Sequence, residues 1–295
     1  MGSTVENNHQ PIIFGEVLFD CFPNGRKVLG GAPFNVAWHL QAFGDNPCLI
    51  SRVGRDEMGA EILQAMRDWG MDITYIQFDS QHSTGRVEIT MIDNEPHYSI
   101  TPDCAYDYIS SDTIDLPVNN TILYHGTLAL RNHTTRQAYE VLASSPGISI
   151  FLDVNLRAPW WHLVEIQDYL KSARWVKLND IELEKLSQVS GSVEHQMQAL
   201  QDEYTIELLI LTRGASGTIV RSMQGQIYTS PLPVVSQFVD TVGAGDAFTA
   251  VFLHGLRMAM PIADIVSAAQ DFASKVVGLR GATTLDRNFY RAYRA

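Results

Sequence analysis

Residues 239–256 read VDTVGAGDAFTAVFLHGL, and the way this stretch divides decides the fold. Gly243, Ala244 and Gly245 run straight into Asp246, after which the apolar pattern becomes helical. Phe248, Phe252 and Leu256 recur every four residues with Val251 beside them, the stripe of a helix packed on one face. The small residues therefore sit at a helix N-terminus, where the first amides lack an intrahelical partner and the macrodipole adds about half a positive charge. Glycine lets that backbone approach a ligand closely, so the turn is suited to phosphate oxygens. Asp246 adds a carboxylate that the positive field should keep ionised and ready to accept a proton. An anion hole beside a base is what phosphoryl transfer to a hydroxyl requires. The same letters also describe a tight turn with an acidic N-cap, so the rest of the chain has to decide.

Upstream, residues 12–20, IIFGEVLFD, read as one buried strand ending on Asp20. A weakly structured piece follows, and then GGAPFNVAWHLQAFG, with Pro33 as an early helical residue and Gly44 closing the helix. Gly30, Gly31 and Asn35 cluster at the mouth of this helix, as a cap or as contacts to a small polar molecule. NPCLISRVG then reads as strand, and DEMGAEILQAMRDWG as a helix with Met58, Ile62, Met66 and Trp69 inward. Residues 83–103 alternate like two antiparallel strands about a turn at Asp93-Asn94-Glu95-Pro96, with no helix between them. This is a small β flap, and Thr84-Gly85-Arg86 at its start supplies a glycine for a hinge.

From Thr121 strands and helices alternate again, which predicts an α/β fold with a mostly parallel sheet covered on both faces. In order these are TILYHGTLAL, HTTRQAYEVLASS, ISIFLDVN, a helix near 162–172, RWVKLN, DIELEKLSQ, a helix near 192–203 and IELLILTRG. TIVRS and QIYTSPLP form an antiparallel addition, and PIADIVSAAQDFASKVV a last helix. Ligands in such sheets bind where strands end and helices begin. Asp20, Asp153, Asn155, Asn179, Gly214 and Gly243 lie near such ends.

The 295 residues suit one α/β unit, residues 1–295, with a small β lid formed mainly by residues 83–103 and the segment near 20–30. A formal net charge of -12 speaks against nucleic acid or an anionic membrane as partner. It leaves room for an anionic nucleotide held by a dipole and a metal. The three cysteines are far apart and without CxxC spacing, which indicates neither zinc nor a disulfide framework. The polar start MGSTVENNHQ lacks a signal-peptide core and no apolar run reaches membrane-spanning length, so a cytoplasmic location is expected.

Asp153, Asn155 and Arg157 emerge at a strand end, and Asn179 and Glu182 stand three apart across the next strand-to-helix junction. By spacing alone the latter pair is a capping box first and a site for hydrated Mg²⁺ second. No HExxH and no Gly-x-x-x-x-Gly-Lys-Ser/Thr is present, which gives little support to metal hydrolases and removes the P-loop class.

GGAPFNVAWHLQAFG and DTVGAGDAFTA resemble the two signature regions of the ribokinase-like, PfkB-type carbohydrate kinases. GEVLFD, SRVGRDEMG, DVNLRAPWW, KLNDIE and LTRGASG follow that family's order over nearly the whole chain, and GEVLFDCFP with DVNLRAPWW looks most like the fructokinase branch. The resemblance implies a ribokinase-like fold and ATP-dependent phosphorylation of a sugar, with fructose to fructose 6-phosphate as the best single expectation. Asp246 would be the base, and Gly243, Ala244 and Gly245 the anion hole. Asp20, Gly30, Gly31 and Asn35 would hold sugar hydroxyls, with Arg157 near the sugar or the transferring phosphate. Asn179 and Glu182 match the NxxE motif for phosphate and Mg²⁺, Glu182 acting through water. Thr212, Gly214 and Gly217 would lie along the nucleotide, whose adenine would sit near Ser274. Asp240 resembles the ligand of a monovalent cation such as K⁺, and the flap would be the lid and a homodimer contact. Two positions depart from the pattern. Val251 stands for a usual glycine and should alter packing only. Phe34 stands for a common alanine beside the sugar cluster and bears on which sugar is taken.

Other substrates of the same class are 2-keto-3-deoxygluconate, needing a cation such as Arg86, Arg131 or Arg157, and nucleosides, needing an aromatic shelf such as Tyr98 or Tyr106. A sugar-binding protein without catalysis is the reading from another class, and Asp246 between its small residues speaks against it.

Overall fold

The nine residues IIFGEVLFD, 12–20, do not stay in one strand. In the computed structural model, which describes residues 10–92, 95–116, 120–231 and 238–294, the predicted strand 12–20 is two strands in two different sheets. β1 (Ile12–Phe14) lies in a large sheet, the chain breaks away at Gly15–Val17, and β2 (Leu18–Cys21) joins a small one. The piece read as weakly structured contains β3 (Lys27–Gly30), paired antiparallel to β2, ahead of helix α1 (Ala32–Phe43). Then come β4 (Cys48–Gly54), α2 (Glu57–Trp69), β5 (Ile76–Asp79), β6 (Gly85–Ile92) and β7 (Glu95–Ile100). The second half alternates β8 (Thr121–His125), α3 (His133–Ala143), β9 (Ile148–Asp153), α4 (Leu163–Ser172) and β10 (Trp175–Asn179). It continues with α5 (Asp180–Leu186), α6 (Val193–Tyr204), β11 (Leu208–Thr212), β12 (Thr218–Ser222), β13 (Ile227–Ser230), α7 (Ala244–Arg257) and α8 (Ile262–Val276). Asp93 and Asn94 of the expected turn, and residues 232–233 of QIYTSPLP, lie outside the described residues.

The large sheet has the order β13-β12-β11-β10-β9-β8-β1-β4-β5. Its pairs are parallel from β11 to β5, and β12 and β13 are the antiparallel addition expected from TIVRS and QIYTS. Period-two alternation divides its apolar side chains between two cores. Ile13, Leu49, Leu208 and Ile210 pack with α1, α2, α7 and α8, while Ile12, Ile50, Leu209 and Leu211 pack with α3 to α6. Helices on both faces of a mostly parallel sheet are what the alternation predicts. The small sheet, β3-β2-β6-β7, is built from the flap strands and the segment after β1.

α7 is held by the stripe that its sequence displays. Phe248 and Phe252 are buried and stack with ring centroids 5.9 Å apart, and Val251 is buried in the same core. Phe34, expected beside a ligand, instead packs into that core against Trp38 at 5.6 Å. No helix among the described residues is long and apolar enough to cross a membrane.

Candidate active site

The strand ends and the α7 turn converge on a cleft of about 510 Å³, with the small sheet supplying Leu18, Asp20, Val87, Tyr98 and Ile100 to its wall. Gly243 is the N-cap of α7 at φ 80°, a left-handed conformation that favours glycine, and a Cβ there would lie 2.3 Å from that of Ala282. This packing opens the helix toward the cleft, where Gly245 and Asp246 are first-turn residues whose amides have no intrahelical acceptor. A Cβ on Gly245 would make only ordinary contact, 3.6 Å from Lys177 Nζ, so the space in front of it is available to a ligand.

Asp246 lines the cleft, and its Oδ2 accepts a hydrogen bond from Asn35 Nδ2 at 2.8 Å. The positive field that should keep Asp246 ionised does not alone decide its pKa. Burial pushes it up to about 6, with the nearby Asp153 acting the same way, while the Asn35 bond, Lys177 and Arg157 oppose the rise. Asp246 shares the cleft with other carboxyl groups. Glu16, Asp20, Asp153 and Glu182 line the same cleft, against Lys177 and Arg157 as the cations among the described residues.

Asn35 spends its amide nitrogen on Asp246, and its buried Oδ1 has no partner among the described residues. Asp20 lies in β2 and is raised by burial, with Arg157 opposing. Gly30 stands next to both: a Cβ on it would be 3.9 Å from Asn35 Oδ1 and from Asp20 Oδ2. Gly31 lines the cleft, and a Cβ there would meet the Glu16 carbonyl at 2.8 Å. Arg157 is exposed and lines the cleft; its carbonyl accepts from Trp160 N at 2.7 Å, and its side chain forms no ion pair or hydrogen bond among the described residues. The other two cations considered for an acid sugar are committed elsewhere. Arg131 is bound to both Asp107 oxygens and to the Thr101 carbonyl, and Arg86 pairs with Glu88.

The Asn179–Glu182 pair is a capping box: Glu182 N donates to Asn179 Oδ1, and Glu182 Oε2 accepts from Asn179 N, each at 2.9 Å. Glu182 Oε1 also accepts from Leu156 N at 2.8 Å, which ties the strand end carrying Arg157 to the start of α5. Both carboxylate oxygens thus hold backbone, and burial raises the pKa of the group. Thr212 lines the cleft at the end of β11. Gly214 and Gly217 form the turn after it, and neither they, Ala244, Asp240 nor Ser274 belongs to the cleft wall. The Ser274 hydroxyl donates back to the Gln270 carbonyl at 2.8 Å. Asp240 Oδ1 accepts from Val242 N at 3.0 Å.

Two site residues are missing from the sequence reading. Lys177, in mid-strand β10, is buried and its Nζ donates to Asp153 Oδ2 at 2.7 Å; Thr249 on α7 bonds the same oxygen at 3.2 Å. Glu16 is in the break between β1 and β2, where the pattern shows only an unbroken strand. A charged residue inside an apolar run is the one signal that marks both.

The profile of the family described as "pfkB family carbohydrate kinase" matches residues 14–288. A fructokinase of Escherichia coli is 30% identical, covering 92% of this chain and 94% of its own length. One from Salmonella typhimurium is 28% identical over 83% of each. Among solved structures, a Vibrio cholerae fructokinase bound to fructose, ADP and calcium aligns with TM-score 0.85 at 24% identity, covering 97% of this chain and 99% of its own. An aminoimidazole riboside kinase from Salmonella enterica, complexed with aminoimidazole riboside and an ATP analog, aligns with TM-score 0.82 at 25% identity, covering 97% and 99%. The architecture is the ribokinase-like fold that these structures share.

Proposed function

Because this chain belongs to the pfkB family of carbohydrate kinases, we propose that it transfers the γ-phosphate of ATP to a hydroxyl of fructose, giving fructose 6-phosphate. The observation that carries this reading is Asp246, oriented by Asn35 at the open N-terminus of α7, inside a cleft walled by the small sheet. The fructokinase relatives support the choice of sugar.

In this reading the sugar lies between Asp20, Gly30, Gly31, Asn35 and Arg157. Asp246 takes the proton from the attacking hydroxyl, and with its pKa near 6 it is a stronger base than an ordinary carboxylate while still ionised at neutral pH. The amides of Gly243 and Gly245 face the charge that develops on the phosphoryl oxygens, while that of Ala244, expected to join them, donates to the Thr241 carbonyl at 3.3 Å. Asn179, Thr212, Gly214 and Gly217 line the path of the nucleotide toward Ser274. The surplus of carboxyl groups over cations in the cleft suits a polyphosphate that arrives with a divalent cation. Mg²⁺ would neutralise phosphate charge there, reached by Glu182 through water because both its oxygens already accept backbone amides. Asp240, with one oxygen spent on Val242, would hold a monovalent cation such as K⁺ through the other. Sugar and ATP are the partners, and the small sheet is the lid and the homodimer contact.

A riboside is the second reading. Tyr98 lines the cleft with 59% of its surface exposed, an available shelf for an aromatic base, whereas Tyr106 is fully buried. ADP release measured over fructose, other hexoses, 2-keto-3-deoxygluconate and ribosides, with the product located by NMR, tests both. Fructose should show the highest kcat/KM with phosphate on C6. A riboside or an acid sugar in first place would overturn the assignment.

A further inference from the structure

The break between β1 and β2 places a carboxyl group where neither strand would carry it. Glu16 is 4% exposed, lines the cleft, and its Oε2 is buried with no partner among the described residues. A buried oxygen left unpaired costs stability, so a group kept that way on the wall of a binding cleft suggests a partner that arrives with the ligand. Its backbone is held as well. Gly31, at φ 107°, leaves the Glu16 carbonyl room that any side chain would take, since a Cβ there would lie 2.8 Å from that oxygen. The backbone of Glu16 is thus packed directly against Gly31 at the mouth of α1.

We propose that Glu16 is a specificity-determining residue for the sugar, its free carboxyl oxygen hydrogen-bonding a hydroxyl of the substrate inside the cleft. The inference rests on the sugar-kinase reading and adds to it a contact from the segment between β1 and β2. The groups that act on Glu16 are known on every side. Asp246 on α7, with Arg157 after β9 and Arg131 after β8, influences its charge, and the buried hydroxyls of Tyr106 and Tyr124 feel it in turn. Burial is the largest influence and pushes its pKa up to about 7, so near neutrality the group can donate as well as accept.

The test compares wild type, Glu16→Gln and Glu16→Ala with the preferred sugar and its monodeoxy analogues. Glu16→Ala should raise the sugar KM about tenfold or more while the nucleotide Kd stays within about twofold. One deoxy sugar that is discriminated against by wild type should lose that handicap in Glu16→Ala, which a merely structural defect would not produce. Glu16→Gln should recover part of the KM and remove an ionisation near 7 from the pH profile of kcat/KM. A wild type that phosphorylates no sugar overturns the kinase reading and the Glu16 contact with it. An active wild type whose variants keep the sugar KM and the full deoxy-sugar discrimination overturns Glu16 alone.

Discussion

Asp246 stands between a helix terminus that favours its charge and a burial that opposes it, and burial prevails. Two consequences follow for a group that, in the proposed role of base, must be ionised to act. Activity should fall as pH drops through about 6, where the native carboxyl takes up its proton. Asp246→Asn should lower kcat by about 10² or more, the scale of a positioned base, with little change in KM for ATP because the backbone amides remain. Near-normal turnover would remove Asp246 from the base role. Asp20 belongs to a different step. In the proposed role its removal would leave sugar hydroxyls unpaired at about 1–3 kcal/mol, so Asp20→Ala should raise the sugar KM strongly and leave nucleotide binding near normal. Equal losses for both ligands, measured by calorimetry, would point to a folding defect instead.

At the scale of elements, the small sheet is clamped at both ends. At its start Thr84 Oγ1 donates to Asp56 Oδ1 at 2.6 Å and Thr84 N to Asp56 Oδ2 at 2.8 Å, while at its end Arg131 Nη2 holds the Thr101 carbonyl at 2.8 Å. Gly85 is a point of close approach: a Cβ there would lie 2.6 Å from the Tyr106 ring. Sugar should slow amide exchange over residues 85–92 and 95–101, and Thr84→Val should raise ATP hydrolysis relative to sugar phosphorylation about threefold or more by loosening the lid. Exchange that is slow with and without sugar would identify a fixed clasp. The elements themselves were largely legible, because caps and periodicity are local: Asp56 before α2, the Asn179–Glu182 box and the α7 turn all stand where the letters place them. The division of residues 12–20 was not. Choosing between one strand and two depends on which sheet receives each half, and that is tertiary information. Glu16 was hidden by this, and Lys177 by the fact that its partner Asp153 comes from another strand.

Across the whole molecule, buried titratable groups pull stability in opposite directions with pH. His39 on α1 is fully buried, with Nδ1 3.2 Å from the Tyr290 hydroxyl, and burial lowers its pKa to about 3; His125 at the end of β8 is lowered to about 4 in the same way. Between these values and 6.5 the unfolded chain binds protons that the folded one refuses, so both histidines make stability fall on acidification from 6.5. Asp246 and Glu16 do the reverse. Their native pKa values, about 6 and about 7, lie above the unfolded ones of 3.8 and 4.5, so the folded chain binds the extra protons and gains stability as pH falls through that window. The site carboxyls thus offset part of the acid lability of the cores. Thermal midpoints measured from pH 7 to pH 4.5 should show it. His39→Gln should flatten the fall, Asp246→Asn should steepen it, and Asp246→Asn should raise the midpoint at pH 7, where wild type keeps a costly buried charge. A slope that neither variant changes would mean that these groups titrate alike in the folded and unfolded chain, and that the burial at the floor of the cleft does not reach Asp246.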